Sequence, residues 1–344
     1  MQIDLRSDTL TQPTPDMLAA MFAAKIGDDV FGEDPTINAL QAQTAQIFGM
    51  EAGLFCPSGT MTNQIAIRIN TQPQDEVICD KRSHIYLYEG GGAMSNSGVS
   101  MKLLDGERGI LSVNEILENI NPDDIHYPRT RLVALENTCN KGGGSYYRLE
   151  RIAEISAICK EKGLLLHLDG ARVFNALVAT GEDPQEYGKY FDTISVCLSK
   201  GLGAPVGSVL LGSQASIKQA LRVRKGFGGG MRQAGFLAAA GIFALENNIS
   251  RLAEDHRKAK IIAADLSERA VIEEVMPADT NIIIFKPQQS WKKVPEVLQL
   301  LAEKDIKAAP FGNYHIRMVT HLDFSEEMLG ELLGRMEGVF GARR

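Results

Sequence analysis

L149-E-R-I-A-E-I-S-A-I-C-K-E-K-G-L-L-L-H-L-D169 holds a sharp change of hydrophobic period. In its first part the apolar residues at 149, 152, 155, 158 and 159 fall on one face of a helix. After Gly163 the pattern becomes an apolar run that ends in a single acid, Asp169. Such runs fit strands buried on both faces, as in a parallel sheet covered by helices. Comparable runs stand at E76-V-I-C-D80, R131-L-V-A-L-E136, D192-T-I-S-V-C-L198 and S208-V-L-L-G212. Strand, helix, strand at this spacing predicts an α/β fold, a mainly parallel sheet flanked by helices.

The chain has 344 residues, which suits roughly two domains. A long helical region is predicted over about 231–269. Beyond it the pattern becomes a smaller α/β unit: D279-T-N-I-I-I-F285, a helix near 292–304, H315-I-R-M-V319 and a final helix from 325. We place a boundary near residue 250. Residues 1–250 form an N-terminal segment plus large domain, and residues 251–344 a small C-terminal α/β domain.

Composition narrows the function classes. A net charge of -7 disfavours nucleic acid as a partner. The best apolar stretch, F236-L-A-A-A-G-I-F-A-L245, is about half the length that spans a bilayer, so no membrane is expected. M1-Q-I-D-L-R-S-D-T-L10 has no apolar core and does not read as a secretory signal. Five cysteines without CxxC spacing suggest reduced thiols and a cytoplasmic location. Six histidines include no HExxH pair, and no metal is expected.

In open parallel sheets, ligands bind beyond the carboxyl ends of the strands. Glu136, Asp169 and Lys200 stand at or just after such ends, and Ser58, Gly59 and Thr60 form a small-residue turn that opens a helical run. A turn of that kind offers free N–H groups and hydroxyls to a phosphate. A lysine, a strand-end carboxylate and a phosphate turn together are what pyridoxal 5'-phosphate requires. The amine condenses with its aldehyde, and the carboxylate keeps its ring nitrogen protonated.

The chain resembles the L-threonine aldolases of the aspartate aminotransferase (type I) fold over nearly its whole length. The resemblance is carried by D4-L-R-S-D-T9, G27-D-D-V-F-G-E-D-P-T36, S58-G-T60, H84-I-Y-L-Y-E-G-G-G92, H167-L-D-G-A-R-V-F-N-A176, L198-S-K-G-L-G203, G228-G-G-M-R-Q233 and I316-R-M-V-T-H-L-D323. It implies that Lys200 carries the cofactor and Asp169 faces the pyridine nitrogen. Gly59 and Thr60 would hold the phosphate with help from Ser199, and Arg232 would reach the phosphate of a neighbouring subunit. Arg172 would meet the cofactor's phenolic oxygen and the substrate carboxylate, which Ser7 and Arg317 also hold. His84 would stack on the ring, with Glu89 able to orient it, and His126 would stand near the β-hydroxyl. His84, His126 or a water between them would take the hydroxyl proton. The implied reaction turns a β-hydroxy-α-amino acid such as L-threonine or L-allo-threonine into glycine and an aldehyde. A homotetramer built from dimers with shared sites is expected. A β-eliminating lyase or an aminotransferase of the same fold is the rival reading. Two positions depart from the family pattern, Phe31 where a tyrosine is frequent and Cys139 where a histidine is common.

Overall fold

The structure, a computed structural model, describes residues 1–343. Its central sheet has seven strands: β1 (Ala52–Cys56), β2 (Asp75–Asp80), β3 (Ser100–Leu104), β4 (Arg129–Glu136), β5 (Leu165–Gly170), β6 (Thr193–Cys197) and β7 (Ser208–Gly212). Their order across the sheet is β1-β7-β6-β5-β4-β2-β3. The pairs from β6 to β3 are parallel, as the repeated strand–helix–strand pattern requires. β7 alone is reversed, running antiparallel to β6 and to β1. Residues 198–207 are too few for the crossover of a dozen or more residues that a parallel return needs.

The helix predicted before β5 forms over Leu149–Lys162 and buries Ile152, Ile155 and Cys159. Each fully buried isoleucine contributes about 1.5–3 kcal/mol to the packing. Gly163 ends the helix at φ 68, a left-handed conformation that glycine adopts without a Cβ clash. Helices thus cover a sheet whose β5 and β6 are buried almost throughout.

A second sheet follows, made of β8 (Ile272–Val275), β9 (Ile282–Pro287), β10 (Ala309–Phe311) and β11 (His315–Val319) in the antiparallel order β10-β11-β9-β8. The long helical region is two helices, Gly235–Asn247 and Leu252–Ser267. One apolar cluster runs from Met17 to Leu252 and a second gathers residues between Ala259 and Phe340. Ile3 and Leu5 belong to the second cluster, because Ile3–Asp4 pairs in parallel with Ile306–Lys307. The chain therefore starts against the C-terminal sheet and crosses to the large sheet at Ser7 and Asp8. No helix among the described residues is long and apolar enough to cross a membrane, and all five cysteines are free and buried.

Candidate active site

β4 and β5 end side by side, with Glu136 opposite Asp169 in register. Both carboxyl groups are buried. Asp169 accepts the Asn63 side-chain N–H at 2.9 Å and the Ala171 backbone N–H at 3.1 Å. Beyond the end of β6, Lys200 stands half-buried with its Nζ 3.3 Å from the Cys197 thiol. No carboxylate among the described residues is within salt-bridge reach of that amine. The glycines after Lys200 serve the loop itself. Gly203 and Gly207 take φ of 80 and 111, and a Cβ on Gly207 would lie 2.5 Å from the Phe55 ring.

The turn before Gly59–Asn70 is a helix N-terminus, capped by the Ser58 hydroxyl accepting the Met61 N–H at 3.2 Å. The Gly59 and Thr60 N–H groups and the Ser199 hydroxyl have no partner among the described residues. Those free donors at the positive end of a helix suit a phosphate. A Cβ on Gly59 would lie 2.5 Å from the Cys197 sulfur, so only glycine lets this turn sit so close to β6.

Two guanidinium groups stand on the other side. Arg172, itself buried, binds buried Asp8 through Nε and Nη2 at 2.8 and 2.7 Å. Burial would raise the Asp8 carboxyl, but Arg172, Lys200 and the Asn281 amide override it and hold the group at about 2. Arg317, on β11, donates to the Asn140 side chain at 2.8 Å and to the Arg6 carbonyl at 3.1 Å. Its Nε is buried without a partner. Burial and then the Arg172 charge push the Arg317 pKa down. An anion beside both groups would relieve that repulsion and satisfy the orphan donor. Ser7 shares this cleft of about 390 Å³ with His84, Lys200 and the two arginines.

His84 opens a short helix, His84–Leu87, and is fixed from two directions. Its backbone N–H donates to Glu136 at 2.7 Å, and Nδ1 lies 3.0 Å from Glu89. Glu89 also accepts the side-chain N–H groups of Asn63 and Gln64 at 2.9 and 2.6 Å. Nδ1 is therefore assigned the proton, which leaves Nε2 free. Burial works against a charged His84. The hydrogen bond to Glu89 and the charges of Asp169, Glu89 and Glu136 outweigh it, so its pKa is raised. Burial and the neighbouring Asp169 push Glu136 up to about 7. His84, Glu89 and Asp169 stand within 4.8 Å of one another, but the Asn63 and Gln64 amides already occupy the carboxylate oxygens between them.

The structure thus brings together Ser7, Ser58, Gly59, Thr60, His84, Asp169, Arg172, Ser199, Lys200 and Arg317. It does not bring His126 to them. That side chain is 80% exposed, bonded to Asp124 at 2.7 Å, and precedes the amino end of β4. Glu136, which holds His84, is at the other end of the strand, roughly 25 Å away at 3.3 Å per residue. Within one chain His126 cannot serve the same cleft, which corrects the expectation of paired histidines. Arg232 is likewise exposed, bound to Asp28 at 3.0 Å and stacked 5.8 Å from the Phe31 ring. Cys139 lies buried, its thiol 3.0 Å from the Glu136 carbonyl.

Several working residues were not legible. Asp8 lies inside the quoted D4-L-R-S-D-T9, yet nothing local shows that it pairs with a residue 164 positions away. Asn63 joins Asp169 to Glu89, and its side-chain oxygen lies 3.2 Å from Nε2 of His167. Burial pushes His167 down to about 4, so it stays neutral, with Nδ1 at 2.9 Å from the Thr193 hydroxyl. The only signal for Asn63 was its place one turn into the helix that opens at Gly59.

A family model described as beta-eliminating lyase matches residues 4–290. The low specificity L-threonine aldolase of Escherichia coli (strain K12) is 44% identical over 96% of this chain and 97% of its own. That of Saccharomyces cerevisiae is 42% identical over 86% of this chain and 76% of its own. Among solved structures, threonine aldolase of Leishmania major superposes with a TM-score of 0.84 at 21% identity, covering 98% of this chain and 99% of that one. At that identity the superposition speaks for the fold alone.

Proposed function

Because the chain belongs to the beta-eliminating lyase family, and within it to the low-specificity L-threonine aldolases, we propose that it cleaves L-threonine, L-allo-threonine and related β-hydroxy-α-amino acids to glycine and an aldehyde, using pyridoxal 5'-phosphate. One observation carries the reading: an amine without an acidic partner, Lys200, stands between free phosphate-type donors, a buried strand-end carboxylate and two arginines with unmet donor capacity.

The cofactor, when bound, supplies an electron sink for the pair released as the Cα–Cβ bond breaks. Lys200 is the residue that holds it covalently. The Gly59 and Thr60 N–H groups, with the Ser58 and Ser199 hydroxyls, grip its phosphate, and Asp169 keeps a proton on its ring nitrogen. Arg172, Arg317 and Ser7 hold the substrate carboxylate, which fixes the rotation about Cα and decides which bond breaks. Nε2 of His84 takes the β-hydroxyl proton, while Glu89 steadies the imidazolium through Nδ1.

The proposal includes a homotetramer with sites shared between pairs, supported by Arg232, which is exposed and outside the cleft of its own chain. It includes a cytoplasmic location, supported by five unpaired thiols. The test is holoenzyme supplied separately with L-threonine, L-allo-threonine and L-serine. Glycine with equimolar acetaldehyde from the first two is the expected result. Pyruvate from serine without acetaldehyde from threonine would replace this reading with β-elimination.

A further inference from the structure

The cleft holds one cation that the reaction above does not use. Lys141 lines it, partly buried, beside His84 and Arg317. Its Nζ stands 4.3 Å from the centre of the Phe311 ring and 5.6 Å from that of Tyr88. No carboxylate among the described residues is within salt-bridge reach of it.

The wall it belongs to is continuous. The His84 ring lies 5.6 Å from Tyr88, Lys141 bridges Tyr88 and Phe311, and the Arg317 guanidinium lies 5.9 Å from Phe311. The backbone under Lys141 is fixed as well. Cys139 and Ser145 form an antiparallel bridge, and the Gly142 and Gly144 N–H groups both donate to the Cys139 carbonyl. Lys141 is therefore presented by a tight turn rather than by a mobile loop.

With the α-carboxylate at Arg172 and Arg317 and the β-hydroxyl at His84, a substituent on Cβ would leave beside His84, on the side of the cleft that Tyr88 and Lys141 line. The methyl group of threonine gives that ammonium nothing to neutralise. A carboxylate there would gain a charge-assisted bond in a partly desolvated wall.

We propose that Lys141 makes this site favour β-hydroxy-α-amino acids whose β-substituent carries a carboxylate, so that the aldehyde released is an oxo-acid. The inference rests on the aldolase reading above. For 3-hydroxyaspartate the reaction balances without any added oxidant or reductant. The Cα–Cβ bond breaks, its electron pair stays with Cα, and the hydroxyl proton leaves to His84. Cα then takes up a proton, giving glycine and glyoxylate.

The test is holoenzyme given L-threonine and 3-hydroxyaspartate, both threo and erythro, in wild type, Lys141→Met and Lys141→Arg. The readout is the ratio of kcat/KM for 3-hydroxyaspartate to that for threonine, which cancels any loss of folded enzyme. A lost ionic hydrogen bond predicts a fall in that ratio of about tenfold or more in Lys141→Met, with Lys141→Arg close to wild type. The same ratio in wild type and Lys141→Met means that the ammonium only stacks on its two rings, and overturns the proposal. Threonine cleavage without any glyoxylate from 3-hydroxyaspartate overturns this proposal alone. Glycine from neither amino acid overturns the aldolase reading, and this one with it.

Discussion

Glu89 would act on the proposed reaction only through His84, its hydrogen-bond partner. Its carboxylate accepts the hydrogen bond of the His84 Nδ1–H and is held in turn by Asn63 and Gln64. It is one of the groups that raise the His84 pKa, along with Asp169 and Glu136. A base acts in its neutral form, so kcat/KM for threonine should rise with pH through the His84 titration. Glu89→Gln removes a negative charge that favours the imidazolium, so the acidic limb of that profile should move to lower pH. The rate should fall less than on His84→Ala, which removes the base and costs roughly 10²-fold or more. An unmoved limb in Glu89→Gln would detach His84 from the limb. His84 and its partner Glu89 were legible within H84-I-Y-L-Y-E-G-G-G92, but Asn63 and Gln64, which hold Glu89, were not. Asn63 and Asp169 lie 106 residues apart, and only the fold makes them neighbours.

At the scale of elements, strand ends were the readable feature. A long apolar run that stops at a lone acid is costly unless the acid has work to do, which is why Asp169 and Glu136 stood out. The reversal of β7 was legible only in the shortness of the link before it. His126 is an expectation of the resemblance alone; it precedes the amino end of β4, while Glu136, which holds His84, stands at the carboxyl end, so the strand keeps the two histidines apart within one chain. The helix that opens at Gly59 makes its own prediction. Gly59→Ala sets a Cβ only 2.5 Å from the Cys197 sulfur, closer than real contacts allow, and must push the turn off β6. Cofactor affinity should drop about tenfold, and adding Cys197→Ala should restore most of it, since contacting residues couple by 0.5–3 kcal/mol. Titration of each apoenzyme with pyridoxal 5'-phosphate, followed by absorbance, reads this directly. Equal losses in the single and double variants would remove the clash as the cause.

Over the whole molecule, Asp8 ties three distant parts together. It belongs to the segment leaving the small sheet, binds Arg172 at the start of Val173–Thr180, and accepts the Asn281 amide at 3.1 Å. The change of pattern near residue 250 gave an expectation of a boundary, but no sign that Ile3 and Leu5 pack with the far end of the chain. Asp8 has a pKa of about 2 against an ordinary 3.8, so its charge stabilises the fold above about pH 4, and that contribution is lost as the pH falls through about 2. The shift corresponds to about 2 kcal/mol. Asp8→Asn leaves Arg172 buried without its counter-charge, for a loss of about 3 kcal/mol in denaturant unfolding, and should flatten the acid dependence of stability. A variant as stable as wild type at neutral pH would contradict this.

In the proposed reaction, carbon–carbon cleavage depends on one lysine of this cleft, Lys200. The most direct measurement is the yield of glycine and acetaldehyde from L-threonine by wild type and Lys200→Ala, each incubated with pyridoxal 5'-phosphate. Equal amounts of both products from the wild type and neither from the variant are expected. Continued acetaldehyde release by Lys200→Ala at the wild-type rate would contradict it.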